Sequence, residues 1–162
     1  MSKRKAPHSP IALKMMAVLD KSTRLTRGVL ATEQDLRLAE QFWTIKLPKS
    51  YAVFQQKYGN ATICGDEFFG VAESLPVHIN AIDQTAHENI RGMFKLPCGY
   101  FVVLQDGRGG LYTVNGNKRV NGESPVVHWE HEFEPPELQK PRLVARSFGA
   151  FVLRLERQGY ID

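Results

Sequence analysis

The densest group of potential metal-binding or acid–base side chains in the sequence is the run His128-Trp129-Glu130-His131. On a β-strand, successive side chains point to opposite faces, so His128 and Glu130 share one face while His131 points to the other. The run also lacks the spacing of H-E-x-x-H, which places two imidazoles on one side of a helix around zinc. We therefore expect a half-exposed strand end here and no metal site.

Other patterns that could indicate catalysis have structural explanations. Gly107, Gly109 and Gly110 precede an apolar run typical of a strand, whereas phosphate-binding glycines open a helix whose N–H groups point at the phosphate. A hairpin turn explains them better. Cys64 and Cys98 lack metal spacing, and no G-x-S-x-G or other nucleophile motif occurs. A triad assembled from distant residues stays open, but we predict no catalytic residue, no cofactor and no enzyme activity.

Acidic residues without any Lys or Arg among them occupy the stretch from residue 121 to residue 137: Glu123, Glu130, Glu132, Glu134 and Glu137. Exposed glutamates need no function, so a solvated rim is one explanation. The other is an acidic patch that attracts a basic protein, with Trp129 and Phe133 as aromatic anchors, although Trp129 is equally a candidate core residue. On this second hypothesis the partner-binding residues are Glu123, Glu130, Glu132, Phe133 and Glu134.

The chain that positions these residues has 162 residues, of which 43% are hydrophobic and 23% are charged. This is the size and composition of one globular domain, and no run of about 18 apolar residues is present to cross a membrane.

Lys14 interrupts the apolar run that follows the basic N-terminus, and no A-x-A-like site follows, so we expect no cleaved signal peptide. Two unpatterned cysteines favour a reducing compartment. We predict a cytoplasmic protein.

The net charge of +4 is unevenly distributed along the sequence. Residues 1–30 contain seven Lys or Arg and one acid, whereas the remainder contains fourteen bases and sixteen acids. We therefore divide the chain into a basic extension over residues 1–30, partly disordered with a short helix, and a domain over residues 31–162. Basic tails are usually only solvated, so nucleic acid is not the expected partner, although the extension leaves it open.

Helical periodicity marks both ends of the sequence. Ser9-Pro10 can cap and start a helix over residues 10–20, and Thr32 can cap another that extends to Trp43. Pro48 starts a third, in which aromatic residues recur on one face before Gly59 ends it. Residues 80–91 favour a fourth helix. A closing helix carries an apolar stripe of Phe148, Phe151, Val152 and Leu155.

Strand patterns lie between these helices. Short strands are predicted over residues 62–64 and 67–69, followed by a hairpin that joins residues 100–104 to residues 111–114 through a glycine-rich turn. Residues 125–129 form the last strong strand pattern, and the Pro-rich stretch 135–141 is predicted to be a loop. Consecutive strands flanked by helices favour an α+β fold with a largely antiparallel sheet.

The sequence also resembles a known family. Residues 47–60, LPKSYAVFQQKYGN, resemble the opening LP-x-x-Y-x-x-F-x-x-x-Y/F-N/G-G of the SUKH superfamily, which includes the yeast Smi/Knr-type cell-wall regulators. Further similar blocks follow in order over about residues 32–157: Glu67-Phe68-Phe69-Gly70-Val71, Leu96-Pro97-x-Gly99-Tyr100, Asp106-Gly107-Arg108-Gly109, Pro125-Val126-Val127-His128-Trp129 and Ser147-Phe148. The chain departs from the family at Gly109-Gly110, where Gly-Asp is common.

The resemblance implies a largely antiparallel sheet flanked by helices and a non-catalytic, protein-binding role. For bacterial members it implies an immunity protein that neutralises a polymorphic toxin, often a nuclease or a deaminase, by blocking it. The alternative is a general regulatory or scaffolding module of the Smi/Knr type. In either case the partner is a protein, with no membrane involved, and the motif aromatics are expected to be structural.

Overall fold

The helices form where the sequence predicts them. The computed structural model describes residues 8–90, 92, 94–130 and 139–161. Five α-helices lie in these ranges: α1 Pro10–Leu19, α2 Glu33–Trp43, α3 Lys49–Lys57, α4 Ala81–Ile90 and α5 Phe148–Gln158. A short 3₁₀ turn, Val77–Ile79, precedes α4. Within the described ranges, no helix combines the length and the apolar character needed to cross a membrane.

The strands form two antiparallel sheets. A small sheet of order β1-β2-β3 contains the two-residue strands β1 Leu25–Thr26, β2 Thr62–Ile63 and β3 Asp66–Glu67. A larger sheet of order β4-β5-β6-β7 is a simple meander of β4 Tyr100–Gln105, β5 Leu111–Asn115, β6 Val126–Trp129 and β7 Arg142–Ala145. The predicted α+β class is therefore confirmed. The strands β1 and β7 were not predicted, because two and four residues of mixed polarity give no clear alternation.

Local chemistry sets the helix ends. Thr32 and Asp35 form a reciprocal capping box at the start of α2, and the Ser147 hydroxyl caps α5 through the Ala150 N–H. Gly59 follows α3 with φ of 68°, and a Cβ there would lie 2.1 Å from the Val29 carbonyl oxygen. Only glycine fits this close approach and this backbone conformation without strain.

The aromatic residues of the 47–60 segment build the core. The side chains of Tyr51, Phe54 and Tyr58 are fully buried. Phe54 packs edge-on to Phe148 of α5, with ring centroids 5.1 Å apart, and tilted against Phe68 at the same distance. These rings join α3 to α5 and to the small sheet, so the resemblance motif is a packing motif.

The first helix is part of this core. Ala12, Met15 and Leu19 of α1 are buried in it, and α1 packs against α3 and α5. Residues 1–7, which carry most of the predicted disorder, lie outside the described residues. The division at residue 30 stays a prediction, but the helical part of the extension shares the core of the rest.

Strand register gives the larger sheet two distinct faces. Phe101 of β4 stacks on Trp43 of α2, with ring centroids 4.2 Å apart, and Tyr112 of β5 contacts Phe151 of α5. Tyr51 of α3 also contacts Phe101, with ring centroids 4.8 Å apart, so α2, α3 and α5 lie on one face. On the other face α4 covers β4, and the Thr85 hydroxyl accepts a hydrogen bond from the Val102 N–H. One end of the first face extends beyond α5 and remains open.

Candidate partner-binding cleft

Register places three polar or aromatic side chains in one row across the open end of the sheet. Tyr112 of β5 pairs with His128 of β6, and His128 pairs with Arg142 of β7. Residues paired directly across antiparallel strands lie on the same face. The Tyr112 and His128 rings accordingly stack, with centroids 4.5 Å apart and planes 19° from parallel. Glu130, two residues after His128, is on this face as well.

A cleft of about 840 Å³ lies over this row. Its walls come from the β2–β3 turn, the β4–β5 hairpin, the ends of β6 and β7, and the residues that follow α5. Three acids line it, Asp66, Asp106 and Glu130, together with two arginines, Arg108 and Arg142. The cleft is thus a surface depression on the larger sheet that contains charges of both signs.

Asp106 organises the hairpin turn at the edge of the cleft. Its Oδ1 accepts hydrogen bonds from the Arg108 N–H (2.7 Å) and the Gly110 N–H (2.8 Å), and its Oδ2 lies 2.8 Å from His128 Nε2. A Cβ at Gly110 would lie 2.1 Å from Asp106 Oδ2. The departure from the family's Gly-Asp therefore has a local reason: the Asp106 side chain folds back over the turn and fills that space.

His128 lies between two carboxylates. Its side chain is 9% exposed, and Nδ1 is buried with no hydrogen-bond partner among the described residues. The nearest carboxylate on that side is Glu130 Oε1, at 3.8 Å, which is too long for a hydrogen bond. Glu130 is 51% exposed and also lies 3.7 Å from Arg142 Nε. Glu130 is therefore held loosely at the mouth of the cleft.

The pKa values of the two partly buried aspartates of the cleft, Asp66 and Asp106, are shifted in opposite directions. Burial by itself would raise the pKa of Asp106, but the N–H groups of Arg108 and Gly110 and the His128 ring favour its charged form and hold its pKa below the ordinary value. Burial raises the pKa of Asp66, with no hydrogen-bond donor to offset it. The protein thus stabilises one cleft carboxylate and leaves the other without compensation.

These two pKa shifts predict that replacing each aspartate by asparagine changes the stability of the fold in opposite directions. Because the pKa of Asp106 is lowered on folding, its ionised form stabilises the fold above the ordinary value of 3.8, and this contribution is lost as the pH falls below it. We expect Asp106→Asn to reduce the free energy of unfolding by about 1.5 kcal/mol at pH 7, and by progressively less as the pH falls below the ordinary pKa of 3.8. Urea unfolding across this range measures the difference.

Asp66→Asn is the matched comparison. Because burial raises the pKa of Asp66, its ionisation at pH 7 opposes folding, so this variant should be at least as stable as the wild type at that pH. A pH-independent difference for Asp106→Asn, or the same sign for both variants at pH 7, would contradict the assignment of these shifts.

The structure places the predicted site residue Glu123 away from the surface. Glu123 is 9% exposed, and its carboxylate accepts hydrogen bonds from the Ser9 hydroxyl (2.6 Å), the Ser50 N–H (2.9 Å) and the Ser50 hydroxyl (2.7 Å). Pro48, at the N-cap of α3, has no side-chain hydrogen bond of its own. Glu123 therefore supplies the missing cap from a distant loop, where a carboxylate also interacts favourably with the helix dipole.

Of the other predicted site residues, Glu130 lines the cleft, while Glu132, Phe133 and Glu134 lie outside the described residues. Trp129, the proposed aromatic anchor, is a core residue, 5% exposed, whose indole N–H donates to the Thr113 hydroxyl at 2.9 Å. Among the described residues, Glu130 is therefore the predicted site residue with the exposed position that the acidic-patch hypothesis requires. The hypothesis stays a prediction for Glu132, Phe133 and Glu134.

Sequence reasoning missed Asp66, Asp106, Arg108 and Arg142 as a group. The shared face of His128 and Glu130 was readable from their spacing, but the contact with Asp106 depends on strand register, which the sequence does not display. Among the described residues, no three His, Cys, Asp or Glu side chains are arranged to hold a metal ion. What the cleft offers is hydrogen-bonding and charged groups that can recognise another molecule.

The fold and the cleft together define an α+β domain in which helices cover a four-stranded antiparallel meander and a charged depression lies at its open end. A family model described as SMI1-KNR4 cell-wall, SUKH_6, matches residues 33–152. The chain belongs to this family, as the resemblance predicted. No curated protein matches the chain.

Proposed function

We propose that this chain is a non-catalytic, protein-binding immunity protein that neutralises a bacterial toxin of the nuclease or deaminase type in the cytoplasm. The observation that carries the proposal is the location of the family motif's aromatic rings. Tyr51, Phe54 and Tyr58 are fully buried, so the residues that identify the family form the interior. Recognition is then left to the surface, where three acids and two arginines line the cleft.

The chemistry of the cleft supports binding over catalysis. Asp106 is engaged with two backbone N–H groups and with the His128 ring, and this ring stacks on Tyr112. These contacts fix the cleft's geometry before any partner arrives, and pre-organisation lowers the cost of association. Nuclease domains are generally cationic because they bind a polyanion, so carboxylates at the mouth of the cleft favour encounter with such a partner.

Co-expression with a toxin domain encoded beside this chain tests the proposal. We expect the wild-type chain to restore the growth of cells in which that toxin is induced. The double variant Glu130→Lys with Glu132→Lys should abolish rescue, because it replaces two acids of the predicted acidic patch with positive charges, which repel a cationic partner. Circular dichroism and thermal unfolding check that the variant is folded.

Glu33→Lys is the matched control. Glu33 lies on α2, and its side chain is 64% exposed, so the same charge reversal outside the cleft should leave rescue intact. Rescue by the folded double variant would remove the acidic face from the proposal. Failure of the wild-type chain to protect would favour the Smi/Knr-type scaffolding role instead.

A further inference from the structure

Several acceptor atoms of the cleft have no close hydrogen bond among the described residues. Asp66 has no hydrogen bond or ion pair from its side chain among the described residues. Glu130 Oε1 lies 3.8 Å from His128 Nδ1 and 3.7 Å from Arg142 Nε, beyond hydrogen-bond distance in both cases. His128 Nδ1 is buried and has no partner there. Of these groups, His128 Nδ1 is the buried one, and because buried polar groups are normally paired, this nitrogen indicates a missing partner.

The ring of His128 shows which kind of donor is missing. Its Nε2 lies 2.8 Å from Asp106 Oδ2. An ionised carboxylate only accepts, so Nε2 carries the proton of this contact, and when the ring holds a single proton Nδ1 is an acceptor. In that form Nδ1 and Glu130 Oε1, 3.8 Å apart, are two neighbouring acceptors with no proton between them. A neutral or anionic acceptor in the cleft would leave both unpaired, whereas an N–H donor would pair with them.

An arginine side chain fits this deficit better than a lysine. A guanidinium presents five N–H donors in a rigid plane, so it can serve acceptors that lie on different strands, and it also stacks on aromatic rings. Asp66 and Glu130 lie on different strand ends, and Tyr160, which is 58% exposed, lines the same cleft. A lysine ammonium is a compact point charge with three donors and no stacking plane.

We propose that the cleft receives an arginine side chain of the protein partner, whose guanidinium donates to Asp66 and Glu130 and points toward Nδ1 of His128. The half-exposed Glu130 closes over the guest, while Arg108, on the hairpin turn, remains available for an acidic group beside that arginine. This inference rests on the proposed function, because it names the partner group that the same surface recognises.

The probe is N-acetyl-L-arginine amide, which carries a guanidinium without charged ends. Titrated into the full chain and followed by NMR, it should shift the ring resonances of His128 and Tyr112 in a saturable way. Glu130→Gln should weaken binding about tenfold, the size expected for loss of a charge-assisted hydrogen bond. Asp66→Asn, on a different strand, should also weaken it. N-acetyl-L-lysine amide should bind more weakly than the arginine probe.

Glu33→Gln, the same change on exposed α2, should leave the arginine titration unchanged, and amide spectra verify that each variant is folded. Absence of a saturable shift, an unchanged affinity in both cleft variants, or lysine amide binding as tightly as arginine amide would overturn the inference. Growth rescue separates it from the proposed function. If the chain protects cells but the arginine probe never binds, only this inference fails, and if the probe binds but protection is absent, only the immunity role fails.

Discussion

Replacing Phe54 by alanine should reduce the free energy of unfolding by about 4 kcal/mol and the melting temperature by roughly 10 °C. Phe54 is fully buried and lies among three aromatic rings, those of Tyr58, Phe68 and Phe148, at centroid distances of 5.1–5.6 Å. Alanine would leave a cavity where α3, α5 and the small sheet meet, and such rigid neighbours relax only partly. Thermal and urea unfolding measure the loss.

Phe42→Ala is the control for this change. Phe42 lies on α2 and is 69% exposed, so its removal should alter stability by less than about 0.5 kcal/mol. If the two variants were equally stable, the interior role of the 47–60 aromatics would be wrong, and those rings would again be candidates for binding a partner.

Replacing Glu123 by alanine should cost about 3 kcal/mol. The change removes the acceptor for three donors at once, those of the Ser9 hydroxyl, the Ser50 N–H and the Ser50 hydroxyl. Among the described residues, Glu123 is also the only side chain that accepts from a backbone N–H in the first turn of α3. Because Ser9 in turn accepts from the Ala12 N–H at the start of α1, hydrogen exchange in α1 should accelerate along with the global loss.

Glu33→Ala provides the comparison for Glu123. Glu33 is an exposed acid in the first turn of α2 that pairs with Arg37 at 3.4 Å, and such a pair contributes only about 0.3–0.5 kcal/mol. A loss in Glu123→Ala no larger than in Glu33→Ala, or unchanged exchange in α1, would show that the buried carboxylate does not connect the first helix to the domain.

The elements with a local signature could be predicted from the sequence. Thr32 and Ser9 cap the helices that they were expected to cap, and Gly59 ends its helix in the left-handed conformation. The β4–β5 hairpin was predicted from its turn glycines. Each of these features depends on residues within a few positions of one another, so periodicity and capping rules suffice.

The candidate site was harder to predict because its parts are distant in sequence. Asp106 and His128 are 22 residues apart in the sequence and form a hydrogen bond in the fold. Asp66, which belongs to the smaller sheet, lines the same cleft. The composition of its segment predicted that Glu123 belongs to an acidic surface. In the structure Glu123 instead caps α3 by accepting from the N–H of Ser50, which is 73 residues away in the sequence. A carboxylate's role depends on which donors surround it after folding, and charge counts along the chain do not contain that information.

Calorimetric titration of the purified toxin domain into this chain tests the central claim most directly. We expect one-to-one binding that saturates, with the affinity reduced at least tenfold by Glu130→Lys with Glu132→Lys and unchanged by Glu33→Lys. Absence of binding heat with the wild-type chain, or equal affinities for all three proteins, would contradict the proposal that this surface binds and neutralises a protein partner.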